Sequence, residues 1–414
     1  MASTLNETVR EDGLRIISKR LTNTKRLNLS VSALVGLAYD GEEREGRFHF
    51  WEHMAFKGTK TRSMSELKKQ LGRFLYSNAF TDYTHTTYIL KGAAARKEEL
   101  KDVLFDMYVN PAMPAEEIEK EKGVVLREAA DWKDNDSTFA IGEINKLLWR
   151  KNPLRRLGVG TEEGMRAINK DSLFADHAEW YRSSNTIVIG VGHVDHDWLC
   201  AKACEFFPMS DRKVSHPSWD DEYALPFVEN RMFFERKERE NAVVQFGCKI
   251  PKLSDREKQT AHLLNEMFGG GFDSMLFEEV RDKRGLAYST YTSLDTNPLG
   301  NSFGLNALVD PKNIDYVENL IKEIAISYKL EPDRFLRAKS SILENAVIAM
   351  ESSSEWESFF WRKLIREGHS AVSLKNYLHK TLKMIAGVTF EEVSTLREKL
   401  ITPDRLASVI VKPC

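Results

Sequence analysis

No apolar run in these 414 residues approaches the ~18–20 needed to cross a bilayer. Nor is there a surplus of either charge. Sixty basic and 62 acidic residues leave a net charge of −2, which gives no electrostatic footprint for nucleic acid or an anionic membrane. The start of the chain has no basic region leading into an apolar one. Glu7, Glu11 and Asp12 occupy that stretch, which reads instead as the first strand of a folded domain. Cysteine is scarce too. Four in a chain of this length do not build a disulfide framework, so a reducing compartment is expected, with the cytoplasm as the default.

What is there is 42% hydrophobic and 29% charged, the balance of a globular protein, at a length that implies two or three domains. Apolar residues alternate over 27–37, the period of a half-buried strand. The spacing turns helical over 48–56 and again over 63–76, where Ser63 has the place of an N-cap and Glu66 follows three residues later. A strand is expected over 81–90, helices over 94–109 and 114–131, a buried strand over 186–192 and a helix over 197–207. Residues 208–226 hold three prolines among many charges and read as a linker. Beyond it the order recurs: a strand over 242–250, a helix over 256–267, strands over 288–294 and 302–308, a helix over 311–330. The expectation is an α+β protein of two related domains, 1–207 and 227–414, each a mixed or antiparallel sheet packed with helices.

The sharpest motif is His49-Phe50-Trp51-Glu52-His53. On a helix, positions i and i+4 share a face, so both imidazoles can reach one ion. Two imidazoles and one carboxylate leave a position open on tetrahedral zinc, as catalytic sites require. Glu52 lies close to the same face and suits a base that takes a proton from water during attack on a peptide carbonyl. A third ligand must come from elsewhere. The helix expected from Pro114 offers Glu117, Glu121 and Glu128, and spacing alone singles out none of them.

Residues 49–59 (HFWEHMAFKGT) together with 121–128 (EKGVVLRE) resemble the pitrilysin/insulinase family, the inverted-zincin peptidases that include mitochondrial processing peptidases. The resemblance implies one Zn²⁺ per chain on His49, His53 and Glu128, with Glu121 as an outer carboxylate and Glu52 as the base. Asn78, Ala79, Phe80 and Thr81 resemble the family's edge strand beside the metal, on which substrate is added as a further strand, with Asn78, Ala79 and Phe80 the residues that would meet it. In the second domain, 269–276 (GGGFDSML) matches a glycine-rich turn, and 281–289 (RDKRGLAYS) matches an Arg/Tyr motif that places Arg281 and Tyr288 on a substrate carbonyl. Similarity of this kind runs from about residue 8 to the C-terminus. It implies two related domains forming one half of a clamshell, a zinc endopeptidase acting on internal bonds of peptides or unfolded segments, and a partner for the other half. A homodimer is the economical partner, a heterodimeric processing peptidase the alternative, and a non-catalytic scaffold of the same fold the rival from another class. The chain departs from the family pattern at Phe48 and Trp51, whose bulk is expected to alter packing behind the metal helix and narrow the site.

Other clusters have plainer readings. His193, His196, Cys200 and Cys204 have metal-like spacing, but a strand-to-helix turn with cysteines facing the core accounts for them. The triplet 269–271 lacks the Lys-Ser/Thr of a phosphate loop. His85 reads as structural, residues 150–156 as a solvated turn, and Trp356, Phe359 and Phe360 as core spacing.

Overall fold

The computed structural model describes residues 4–210, 212–227, 229–366 and 377–414; residues 1–3, 211, 228 and 367–376 of the expected domains and linker lie outside it. The chain forms two compact units. One holds Met1–Ala130, Gly158–Ser218 and Ala349–Asn376, the other Asp131–Leu157, Trp219–Ile348 and Tyr377–Cys414. The chain passes between units inside 208–226, yet a single cut there does not separate them. Each unit also contains a segment from the other half of the sequence.

In the first unit, strands β1 (Leu5–Val9), β2 (Arg15–Arg20), β3 (Arg26–Ala33), β4 (Tyr76–Thr81), β5 (Thr86–Ala93) and β6 (Thr186–Gly192) form a sheet in the order β1-β2-β6-β3-β5-β4. Only β2 and β6 run parallel. Two stretches expected as single strands are hairpins. The N-terminal one turns at Gly13, whose φ of 103° suits glycine. The stretch 81–90 breaks after Thr81, where Asp82 donates its N–H to the His85 carbonyl and its carboxylate accepts the Tyr83 N–H. Helices α1 (Arg47–Met54), α2 (Met64–Leu71), α3 (Lys97–Val109) and most of α4 (Ala115–Asp134) belong to this unit. After α5 (Asp136–Leu148), which does not, come α6 (Glu162–Ala167), α7 (Lys170–Trp180) and α8 (His196–Phe206). Ser63 and Glu66 form the expected capping box on α2, which stops at Leu71 rather than at 76 because the chain enters β4 there.

The alternation in β3 is not that of a half-buried strand. Its apolar positions Leu27, Leu29 and Val31 and its polar positions Asn28, Ser30 and Ser32 are all buried. The polar face is covered by α12 (Ser353–Phe360) and the turn after it. Asn28 donates to Glu357 at 3.3 Å, and the Trp361 indole N–H donates to Ser30 Oγ at 3.4 Å.

In the second unit, β7 (Arg231–Arg236), β8 (Ala242–Ile250), β9 (Ala287–Asn297), β10 (Gly300–Val309) and β11 (Ala407–Pro413) take the order β7-β11-β8-β10-β9, with only β7 and β11 parallel. Strand for strand this is the order β2-β6-β3-β5-β4 of the first unit, so the recurrence seen in the sequence is one of topology. Helices α9 (Asp255–Gly269), α10 (Ile314–Ile326), α11 (Pro332–Ala349), α13 (Tyr377–Gly387) and α14 (Phe390–Leu400) pack with this sheet. The exchange of segments follows the same symmetry: α12 lies on β3 and β6, and α5 lies on their counterparts β8 and β11.

Candidate metal centre

Helix α1 has no side chain to cap it, since Gly46 precedes it. Asp40, fully buried, supplies the cap from outside, accepting the N–H groups of Gly46 at 2.8 Å and Phe48 at 3.0 Å. Phe48, Phe50, Trp51 and Met54 have no exposed surface, and their burial turns His49, Glu52 and His53 away from the core. The expected narrowing by Phe48 and Trp51 does not occur. Trp51 stacks on Tyr181 at 4.1 Å and on His177 at 5.4 Å and donates to the Leu173 carbonyl, all behind the helix.

Each imidazole has one nitrogen engaged by protein. His49 Nδ1 lies 2.8 Å from the Val159 carbonyl, which can only accept, so Nδ1 donates there and Nε2 is the nitrogen turned toward Glu128. Gly46 makes this contact possible. With φ at 91°, it lies so close to Gly160 that a Cβ would stand 2.3 Å from the Gly160 Cα. His53 Nδ1 lies 2.9 Å from Glu121 Oε1, while Lys57 pairs with the other oxygen of that carboxylate. Burial pushes the Glu121 pKa up, and the contacts to His53 and Lys57 overcome it, so the group is held below its ordinary value.

Glu121 and Glu128 lie two turns apart on α4. Glu121 is 5% exposed, whereas the Glu128 side chain is 36% exposed and reaches both imidazoles, 3.8 Å from His49 Nε2 and 3.5 Å from His53 Nε2. One ligand atom from each of His49, His53 and Glu128 lies within 4.8 Å of the others, and no other group of three among the described residues does this. Ligands ~2.0–2.2 Å from one tetrahedral zinc ion stand roughly 3.3–3.5 Å apart, so the donor set fits such an ion. Glu117 is not part of it and pairs with Lys120.

Glu52 Oε2 accepts the Thr81 hydroxyl at 2.7 Å. Burial raises the Glu52 pKa despite Thr81 and the two imidazoles. A carboxylate made more basic in this way suits proton transfer. Thr81 ends β4, the terminal strand of its sheet, so the outer edge of Asn78–Phe80 has no strand partner among the described residues. Ala79 faces the core, Asn78 donates to the Tyr76 hydroxyl, and Phe80 packs edge-on against Trp361 and His85.

Arg281 and Tyr288 come together in the second unit, the guanidinium 6.0 Å from the Tyr288 ring and 4.8 Å from that of Phe277. Tyr288 is 76% exposed at the start of β9, the counterpart of β4. The histidine–cysteine cluster only partly follows the expected reading, since Cys200 is half-buried but Cys204 and His193 are exposed rather than facing the core. His196 meets Ser18 at Nδ1, and Thr8 and Cys200 at Nε2. His85 is buried in the β4–β5 turn. The sequence reading includes Thr81 in the edge-strand motif without its contact to Glu52, and gives no role to Asp40, Lys57 or the Val159 carbonyl. Lys57 and Thr81 lie inside or beside the motifs, but nothing in the sequence marks Asp40 or Val159, which arrive from other turns of the chain.

Two family models match most of the chain. The model for insulinase (peptidase family M16) matches residues 15–162, which contain the metal cluster, and that for the peptidase M16 inactive domain matches 167–342. An uncharacterized zinc protease of Mycobacterium leprae is 28% identical over 96% of this chain and 89% of its own length. One from Bacillus subtilis is 24% identical over 97% and 96%. A protease from Helicobacter pylori has the same fold, with a TM-score of 0.88 at 18% identity over 99% of this chain and all of that one. A peptidase M16 inactive domain from Pseudomonas fluorescens matches with the same score at 16% identity, over 99% and 98% of the two chains. With models for both halves matched and relatives covering nearly its whole length, the chain belongs to the pitrilysin/insulinase family of peptidases.

Proposed function

We propose that this chain is a zinc-dependent endopeptidase that hydrolyses internal bonds of peptides or unfolded segments. The observation that carries this reading is the convergence of His49, His53 and Glu128, with both Nδ1 atoms already engaged and Glu52 alongside. His49, His53 and Glu128 would hold one ion. Zinc supplies Lewis acidity, which makes water a better nucleophile at neutral pH and polarises a carbonyl. Glu121 orients His53. Glu52 takes the proton from the attacking water and returns it to the leaving amine. A substrate lies extended along the outer edge of Asn78–Phe80, where backbone pairing holds it whatever its sequence, and this is why only unfolded segments fit. Arg281 and Tyr288 donate to the carbonyl oxygen as charge develops on it. In a homodimer this pair comes from the second copy, so each site is composite.

The test is gel filtration of the purified protein, with zinc content and cleavage of a mixed peptide library measured across the peak. The expected result is a dimer with one zinc per chain and internal cleavage. Glu52→Gln is expected to lower the rate by ~10²–10⁴-fold while keeping zinc, and His53→Ala to lose both. Substantial cleavage by Glu52→Gln would show that another group is the base.

A further inference from the structure

The strand edge and the base belong to different elements, and one hydroxyl joins them. Side chains alternate along β4, so Ser77, Ala79 and Thr81 share one face while Tyr76, Asn78 and Phe80 share the other. The first face turns toward α1. Across the ladder Ala79 stands opposite Tyr88 and Thr81 opposite Thr86, pairings that fix the register of the strand. At its end, Thr81 Oγ1 lies 2.7 Å from Glu52 Oε2 and 3.5 Å from the Phe48 carbonyl. The shorter contact, to a carboxylate, is the stronger and takes the proton of the hydroxyl.

We propose that Thr81 is a positioning residue for the peptidase reaction, holding one oxygen of Glu52 so that the other faces the substrate. This rests on the peptidase reading above and adds a coupling to it. The strand that would fix the register of an added peptide also fixes the orientation of the base. A peptide seated on the β4 edge therefore meets Glu52 in one rotamer. Loss of the hydroxyl leaves the strand and its edge in place but frees the carboxylate to rotate, which costs rate without costing substrate binding.

The experiment compares Thr81→Val, which keeps the branched shape and removes the hydroxyl, with Thr81→Ser, which keeps the hydroxyl. In Thr81→Val, kcat is expected to fall about 10- to 100-fold, with KM and zinc affinity within about twofold of wild type. Thr81→Ser is expected to recover most of kcat. A wild-type kcat in Thr81→Val overturns the proposal, as does an equal loss in both variants or a change in KM or zinc affinity as large as that in kcat. A crystal structure of Thr81→Val with the Glu52 carboxylate unmoved overturns it independently of any assay. Failure of zinc-loaded wild-type protein to cleave any peptide is a different result, which sinks the peptidase reading and this proposal with it.

Discussion

At the scale of single residues, Glu121 and Glu128 have the same chemistry on the same helix face, and tertiary contacts divide their roles. Glu121 is buried with one oxygen on His53 and the other on Lys57, and it is not among the groups that converge on one position. Glu128 reaches both Nε2 atoms. Glu121→Gln is expected to weaken zinc binding by ~10–100-fold, the usual effect of losing a partner that orients a ligand. Glu128→Gln is expected to weaken it much further. Competition with a calibrated chelator reads both, and equal affinities would erase the distinction. Spacing alone does not divide Glu121 from Glu128, although the resemblance to the family does, because the division depends on which residue His53 and Lys57 meet.

At the scale of elements, a helix start built from neighbouring residues carries its signal locally, although the sequence reading draws only one of these, on α2, and expects no helix over 390–400. The capping boxes of α9 (Ser254 with Glu257) and α14 (Thr389 with Glu392) are of this kind, as is the one expected on α2. Both glutamates are bound further, Glu257 by Lys399 and Glu392 by Arg256, and these contacts together with the caps lower each pKa from 4.5 to about 2. Because the folded pKa is depressed, their stabilisation is full above the unfolded value of 4.5 and is lost as pH falls toward 2. The side chains are 31% and 39% exposed, so solvent screening holds each to about 1 kcal/mol or less. Between about pH 6 and about pH 3 the urea midpoint of wild type is therefore expected to fall further than that of Glu257→Gln/Glu392→Gln. Parallel curves would mean that these caps carry no pH-linked stability. Strands were less legible. β3 alternates like a solvent-facing strand, and only α12, from a segment more than 300 residues away, makes its polar face an interior one.

At the scale of the whole molecule, the exchange of segments is the main departure from a simple pair of domains. The polar face of β3 and the buried Lys91–Glu357 pair at 2.9 Å depend on residues after Ile348. In turn, β8 needs α5, whose Ile144 packs so closely on Gly247 that a Cβ there would come within 2.7 Å. Fragments 1–218 and 219–414 are each expected to remain incompletely folded alone, with protease-sensitive sheets, and to form a native-like complex when co-expressed. A fragment 1–218 that melts cooperatively and as high as the intact chain would contradict this. The sequence by itself determined the motif His49–His53, the helix that carries it and part of the strands in each half, though not β7 or β11, because these follow from periodicities and spacings within a few turns of chain. Tertiary structure alone decided why Glu121 is turned to His53 and Lys57 while Glu128 is not, that Trp51 points away from the motif, and which segments cover each sheet, because those depend on contacts between residues that only folding brings together.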